Sequence, residues 1–244
     1  LSEASVATYL RSNVALMKNM IKEGYQDAQT LQNRIDAVNE WLKAPKLLEA
    51  DKNAEYAAVI EIDLSEITEP ILACPNDPDD VKLLSEVAGT PINDIFIGSC
   101  MTNIGHYRAA AEIWRGSKFN PNVRTWITPP TRMDQKQLKD EAYFSVYSAF
   151  GARIEIPGCS LCMGNQARVP DGVNMFSTST RNFDDRIGNG AQVYLGSAEV
   201  GAVTALLGKL PTPAEFLAIY KDKIEPNKEK IYKYLQFDEM AEYK

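Results

Sequence analysis

The chain has one histidine, His106, and four cysteines in 244 residues. A single imidazole excludes any centre that needs two or three, such as a His-rich zinc hydrolase site. Four cysteines are too few for a disulfide scaffold, and the chain does not open with a basic stretch followed by an apolar one, as a secretory signal does. A reducing, cytoplasmic setting follows. No apolar run approaches the ~20 residues needed to cross a bilayer, so no membrane partner is expected. Positive charge is also short: 26 Lys and Arg stand against 33 Asp and Glu, a net charge of −7. Nothing in that balance favours general binding to nucleic acid or anionic lipid, although a local basic site can still take an acidic substrate. The first residues, Leu1-Ser2-Glu3-Ala4, lack an initiator Met and read as a cut into a longer chain.

What is present is a C-x-x-C between glycines, Pro157-Gly158-Cys159-Ser160-Leu161-Cys162-Met163-Gly164, directly after the strand-like Arg153–Ile156. The two glycines permit the sharp turn that would point both thiols at one centre. A third thiol has a similar setting: the apolar run Ile95-Phe96-Ile97 leads through Gly98-Ser99 to Cys100. Three soft ligands in two strand-end loops point to a metal ion or an iron–sulfur cluster. Two alternatives stay open on spacing alone. One is a redox pair. The other is zinc, with Cys74 or His106 as fourth ligand, although Cys74 as an unligated small residue and His106 as a local hydrogen-bonding group are the simpler readings.

Helical periodicity covers much of residues 1–45, with Gly24 between two helices and the second, Thr30–Leu42, stopping before Pro45. Tyr56–Asp63 reads as a strand. Pro70, Pro75 and Pro78 among Asn76, Asp77, Asp79 and Asp80 mark an extended connection. The expected division is therefore 1–68 as the end of a preceding domain (helices, then a strand), 69–80 as linker, and 81–244 as an α/β domain. In that domain, helices are expected at about 79–88, 104–114, 135–150, 198–207, 213–222 and 226–242. Strands are expected at 94–97, 123–127, 153–156, 173–177 and 192–195. Alternating strands and helices imply a three-layer α/β/α domain with a mainly parallel sheet, helices on both faces, preceded by the helical tail of an upstream domain. In such sheets ligands sit beyond the carboxyl ends of the strands. Cys100, Cys159 and Cys162 fall there, as do Arg181 and Arg186 after strand 173–177, among Ser and Thr hydroxyls. Guanidinium forks match carboxylates, so the arginines are candidate carboxylate binders.

The segments Gly98-Ser99-Cys100-Met101-Thr102-Asn103, Gly158–Gln166 and Ser179-Thr180-Arg181-Asn182-Phe183 together resemble the aconitase family, in its bacterial B type, most closely over residues 56–215. The resemblance implies that Cys100, Cys159 and Cys162 hold three irons of a [4Fe–4S] cluster, whose fourth iron meets substrate. It also implies that Arg181 and Arg186 bind the carboxylates of citrate, cis-aconitate or isocitrate, intermediates of the tricarboxylic acid cycle. A 2-methylisocitrate dehydratase activity is compatible with it. Many aconitases carry Asn where this chain has Thr180, and Gly where it has Asp184-Asp185; the two aspartates are expected to face outward. The family's base, acid and further carboxylate-binding residues come from other domains, so this chain is expected to hold no catalytic acid or base and to be inactive alone. The rivals are an isopropylmalate-dehydratase-like hydro-lyase and a cluster- or zinc-binding regulatory module that interacts with RNA in its apo form.

Overall fold

The structure is a computed structural model and describes residues 2–164 and 166–243. The chain divides into two compact units. Residues up to 62 and from 235 onward form the first, and 63–234 form the second.

In the first unit, helix α1 (Glu3–Lys22) is capped by Ser2, whose side chain accepts from the Ser5 amide; helix α2 (Ala28–Lys43) is capped by Asp27, which accepts from Thr30. Gly24, at φ +83°, breaks the chain between them. The two helices pack together around Ala7, Val14, Leu31 and Ile35. The C-terminal segment is tied to α1 through Ser12, whose hydroxyl accepts from the Phe237 amide at 2.8 Å and donates to the Leu235 carbonyl at 3.3 Å. The strand expected at Tyr56–Asp63 does not form. Among the described residues the segment has no strand partner, and its apolar side chains are exposed.

The second unit is built on a seven-stranded sheet: β1 (Ile71–Ala73), β2 (Val81–Leu83), β3 (Asp94–Ile97), β4 (Arg124–Ile127), β5 (Arg153–Ile154), β6 (Asn174–Ser177) and β7 (Gln192–Leu195), in the order β2-β1-β7-β6-β3-β4-β5. The five strands from β7 to β5 are parallel, and β1 and β2 join as an antiparallel edge. The mixed α/β class and mainly parallel sheet match the sequence reading. Residues 69–80, read as an extended connection, contain β1; the span read as a helix from 79 begins with β2 and continues into the short α3 (Leu84–Val87).

Helices α4 (Ile104–Trp114), α5 (Arg132–Asp140), α6 (Tyr143–Phe150), α7 (Ala198–Leu207), α8 (Pro213–Lys223) and α9 (Lys228–Ile231) follow the strands. The stretch read as one helix over 135–150 is two, broken where Ala142 takes φ +62°. The helix expected at 226–242 shrinks to α9 and short turns. There Arg108 of α4 donates to the Ile231 and Lys233 carbonyls while Glu141 grips its guanidinium at 2.7 and 2.8 Å. Carbonyls turned toward Arg108 satisfy it better than a continuing helix, which would keep them for its own amides.

Helix α7 packs on β3 and on α4. Its Gly201 lies so close to Phe176 that an added Cβ would stand 2.8 Å from the ring. The other face of the sheet shows Phe96, Trp126, Met175 and Val193, and is packed by Leu161 and Cys162 from a 3-10 turn and by Val169, Ile187 and Ala191 from irregular chain between strands. No helix among the described residues is long and apolar enough to cross a membrane.

Candidate active site

The chain runs β3, β4, β5 in one direction across the sheet and then returns to place β6 on the other side of β3. Their carboxyl ends therefore part at a topological switch point, where an open parallel sheet offers a crevice. Thr178 closes the base of that crevice. Its hydroxyl accepts from the Gly98 amide at 2.9 Å and donates to the Gly98 carbonyl at 2.7 Å. Thr102 donates to the same carbonyl at 2.7 Å.

Beyond β3, Gly98 has no room for a side chain, because a Cβ would meet the Phe96 ring at 2.4 Å. Ser99 follows at φ +110°, a conformation that non-glycine residues rarely take, and turns the exposed Cys100 toward the start of α4. Asn103 caps that helix by accepting from Gly105 at 2.9 Å, so its positive N-terminal end lies beside the cysteine loop.

Beyond β5, Gly158 takes φ +148° and Gly164 φ +64°, as the turn reading required. Between them Ser160–Cys162 form one 3-10 turn, with the Cys162 amide donating to the Cys159 carbonyl at 2.8 Å. Gln166 holds the turn by accepting from the Ser160 amide at 2.7 Å. Cys159 is exposed, whereas Cys162 is buried in the core. Gly164 lies backbone to backbone with Arg186: a Cβ there would stand 2.2 Å from the Arg186 carbonyl oxygen. Asn165, part of the second motif, lies outside the described residues.

Beyond β6, the two arginines differ. Arg186 is buried; its Nη2 donates to Ser179 Oγ at 2.6 Å, and its Nη1 has no partner among the described residues. Ser179 Oγ in turn accepts from Ser177 at 2.8 Å. Burial pulls the Arg186 pKa down, the nearby Cys162 opposes that, and Arg181 adds to it. Arg181 is exposed, and its Nη1 points to Met163 Sδ at 3.8 Å. Thr180 is exposed, and Asp184 and Asp185 face outward; Asp185 accepts from the Gly190 amide at 2.6 Å.

Arg186, Arg181 and Cys162 thus share one electrostatic neighbourhood. Tyr107 lies buried near them, and burial, with Asp134 adding to it, pushes this phenol well above its usual range. Cys74 and His106 stand apart. Cys74 lies buried at the end of β1, raised chiefly by desolvation and by Asp80. His106 is paired through Nδ1 with Glu199 Oε1 at 3.0 Å, and Tyr232 donates to the same oxygen at 2.7 Å. That bond raises the His106 pKa, against burial. Sequence spacing did not reveal this trio, since Glu199 and Tyr232 lie on α7 and just after α9.

As a donor set the loop cysteines suit a soft metal centre: they offer three thiols, and no cysteine is in a disulfide. Among the described residues no three Cys, His, Asp or Glu side chains are grouped as metal ligands, and this holds for Cys100, Cys159 and Cys162 as it does for sets that include Cys74 or His106.

The sequence profile of the aconitase family (aconitate hydratase) matches residues 15–208. Aconitate hydratase B of Synechocystis sp. is 62% identical over 243 residues, and that of Escherichia coli 55%; each match covers 100% of this chain and 28% of the relative. A 3-isopropylmalate dehydratase large subunit from Elusimicrobium minutum is 38% identical over 175 residues, covering 70% of this chain and 42% of the relative. The chain spans about 28% of the length of the aconitate hydratases it matches. It belongs to the aconitase family.

Proposed function

We propose that these residues are the C-terminal, cluster-carrying part of an aconitate hydratase of the B type, a hydro-lyase that interconverts citrate and isocitrate through cis-aconitate. The unit of residues 63–234 would be its cluster domain, and the unit of residues up to 62 and from 235 onward would belong to the domain before it. The observation that carries the reading is Arg186: a buried guanidinium held by Ser179, whose Nη1 has no partner among the described residues, beyond the strand edge that the free thiols also follow. A buried cation with a vacant donor is costly unless an anion completes it. A substrate carboxylate does so. Ser179 fixes the guanidinium plane, and Arg181, exposed and held among the described residues by a thioether, could reach a second carboxylate.

Cys100, Cys159 and Cys162 would hold a [4Fe–4S] cluster, which when bound supplies a Lewis acid with one iron free of protein ligands. Dehydration also needs a base for the carbon-bound proton and an acid for the leaving hydroxyl. No residue of this chain takes either role in the proposal: His106 is occupied by Glu199. The chain alone is therefore inactive, and the remaining domains of the longer protein complete the site. The higher identity to aconitate hydratase B supports this over the isopropylmalate reading. No observation favours the RNA-binding alternative, and a net charge of −7 opposes it.

The test uses the full-length protein, assayed with cis-aconitate after anaerobic iron and sulfide analysis. Arg181→Lys and Arg186→Lys keep the charge but lose the fork, and each is expected to raise KM by about 10-fold or more with iron content unchanged. Unchanged KM and kcat in both variants reject the assignment.

A further inference from the structure

Residues Tyr56–Ile62 have the composition of a strand and none of its contacts. Ile60 and Ile62 fall on one side of an extended chain, and Val59 and Glu61 on the other. The segment contains neither proline nor glycine. Yet Val59 is 78% exposed, Ile60 82% and Ile62 72%. Among the described residues no backbone hydrogen bond is donated by residues 55–63. A branched, apolar segment with unbonded amides is a template for strand pairing once it is drawn out. The same unit also carries an apolar groove of about 690 Å³ between the two helices and the chain after them, lined by Leu10, Val38, Trp41 and Leu47 among others.

We propose that Tyr56–Ile62 is a β-strand that adds to a sheet in the part of the longer protein outside these 244 residues. The inference rests on the proposal that the chain belongs to a longer aconitate hydratase. Two observations select this occupant. The matches to the aconitate hydratases run over the whole chain, and most of the length of those relatives lies beyond it. A tethered partner also has a far higher effective concentration than a second copy. The alternation of Ile60 and Ile62 with Glu61 fits a strand with one covered face and one wet face.

The experiment is amide hydrogen exchange on the full-length protein, with cis-aconitate turnover measured on the same sample. The amides of Val59–Ile62 are expected to exchange at least about 100-fold slower than an unstructured peptide, independent of protein concentration. Exchange at the unstructured rate overturns the proposal, and so does protection that disappears on dilution, which would assign the partner to a second copy. Turnover without protection leaves the functional reading standing and removes the strand. Protection without turnover does the reverse.

Discussion

Val59-Ile60-Glu61-Ile62 and Asp94-Ile95-Phe96-Ile97 are near equivalents as sequence: short, branched, apolar, each with one acidic residue. Their fates are opposite. The second is β3, paired with β4 on one side and β6 on the other, with Ile95 fully buried. The first stands in solvent without a ladder. Local composition therefore does not make a strand in this molecule; partners do. Asp94 makes the same point for charge. It is buried, but Arg124 holds it at 2.8 Å and the Trp126 indole donates to it at 3.4 Å.

The largest expected contrast comes from placing a carboxylate at each isoleucine of the 244-residue chain. Ile95→Asp should cost at least about 4 kcal/mol or abolish folding, because an unpaired charge would sit in a closed core. Ile60→Asp should change stability by no more than about 0.5 kcal/mol. Urea titrations of the two variants measure the difference, and comparable losses would show that the first segment is not free.

A smaller effect tests how tightly the partners of β3 and β6 fit. Gly201→Ala gains helix propensity in α7 but drives a methyl to 2.8 Å from the buried Phe176 ring. A net loss of about 1–2 kcal/mol is expected. A stabilised variant would show that the ring yields freely.

The smallest effect is electrostatic. Glu199 raises the pKa of His106 above 6.5, and its own pKa is lowered below 4.5 by His106 and Tyr232 despite burial. The raised histidine contributes stability that is complete below pH 6.5 and is lost as pH rises through its folded pKa. The lowered carboxylate contributes above pH 4.5 and is lost as pH falls through its folded value. The wild type should therefore lose melting temperature relative to Glu199→Gln as pH rises above 6.5. Parallel profiles of the two proteins would mean that the pair carries no pH-dependent stability.

Much of the second unit was legible in the sequence because local signals and tertiary partners agree there. Helices α4 and α7 begin and end where their apolar spacing and their caps, Asn103 and Ser197, place them. The cysteines and arginines could be assigned to one sheet edge because parallel strands put every following loop on the same side. What the sequence did not disclose depends on distant contacts. Arg181 and Arg186 are five residues apart and look alike, yet only Arg186 is buried against a serine hydroxyl. The C-terminal tail has helix-forming composition but gives carbonyls to Arg108. Ala142 breaks a helix with no glycine or proline to announce it. A 3-10 turn and irregular chain pack one face of the sheet, and no period of 2 or 3.6 marks them.

The contact between Gly164 and the Arg186 carbonyl makes two loops one mechanical part. With no side chain between them, there is no compressible layer to absorb relative movement. A displacement of the turn bearing Cys159 and Cys162 is passed directly to the backbone that carries the buried guanidinium. Neither loop can lengthen, tilt or drift over time without the other, so changes on the two sides of this contact must arise together.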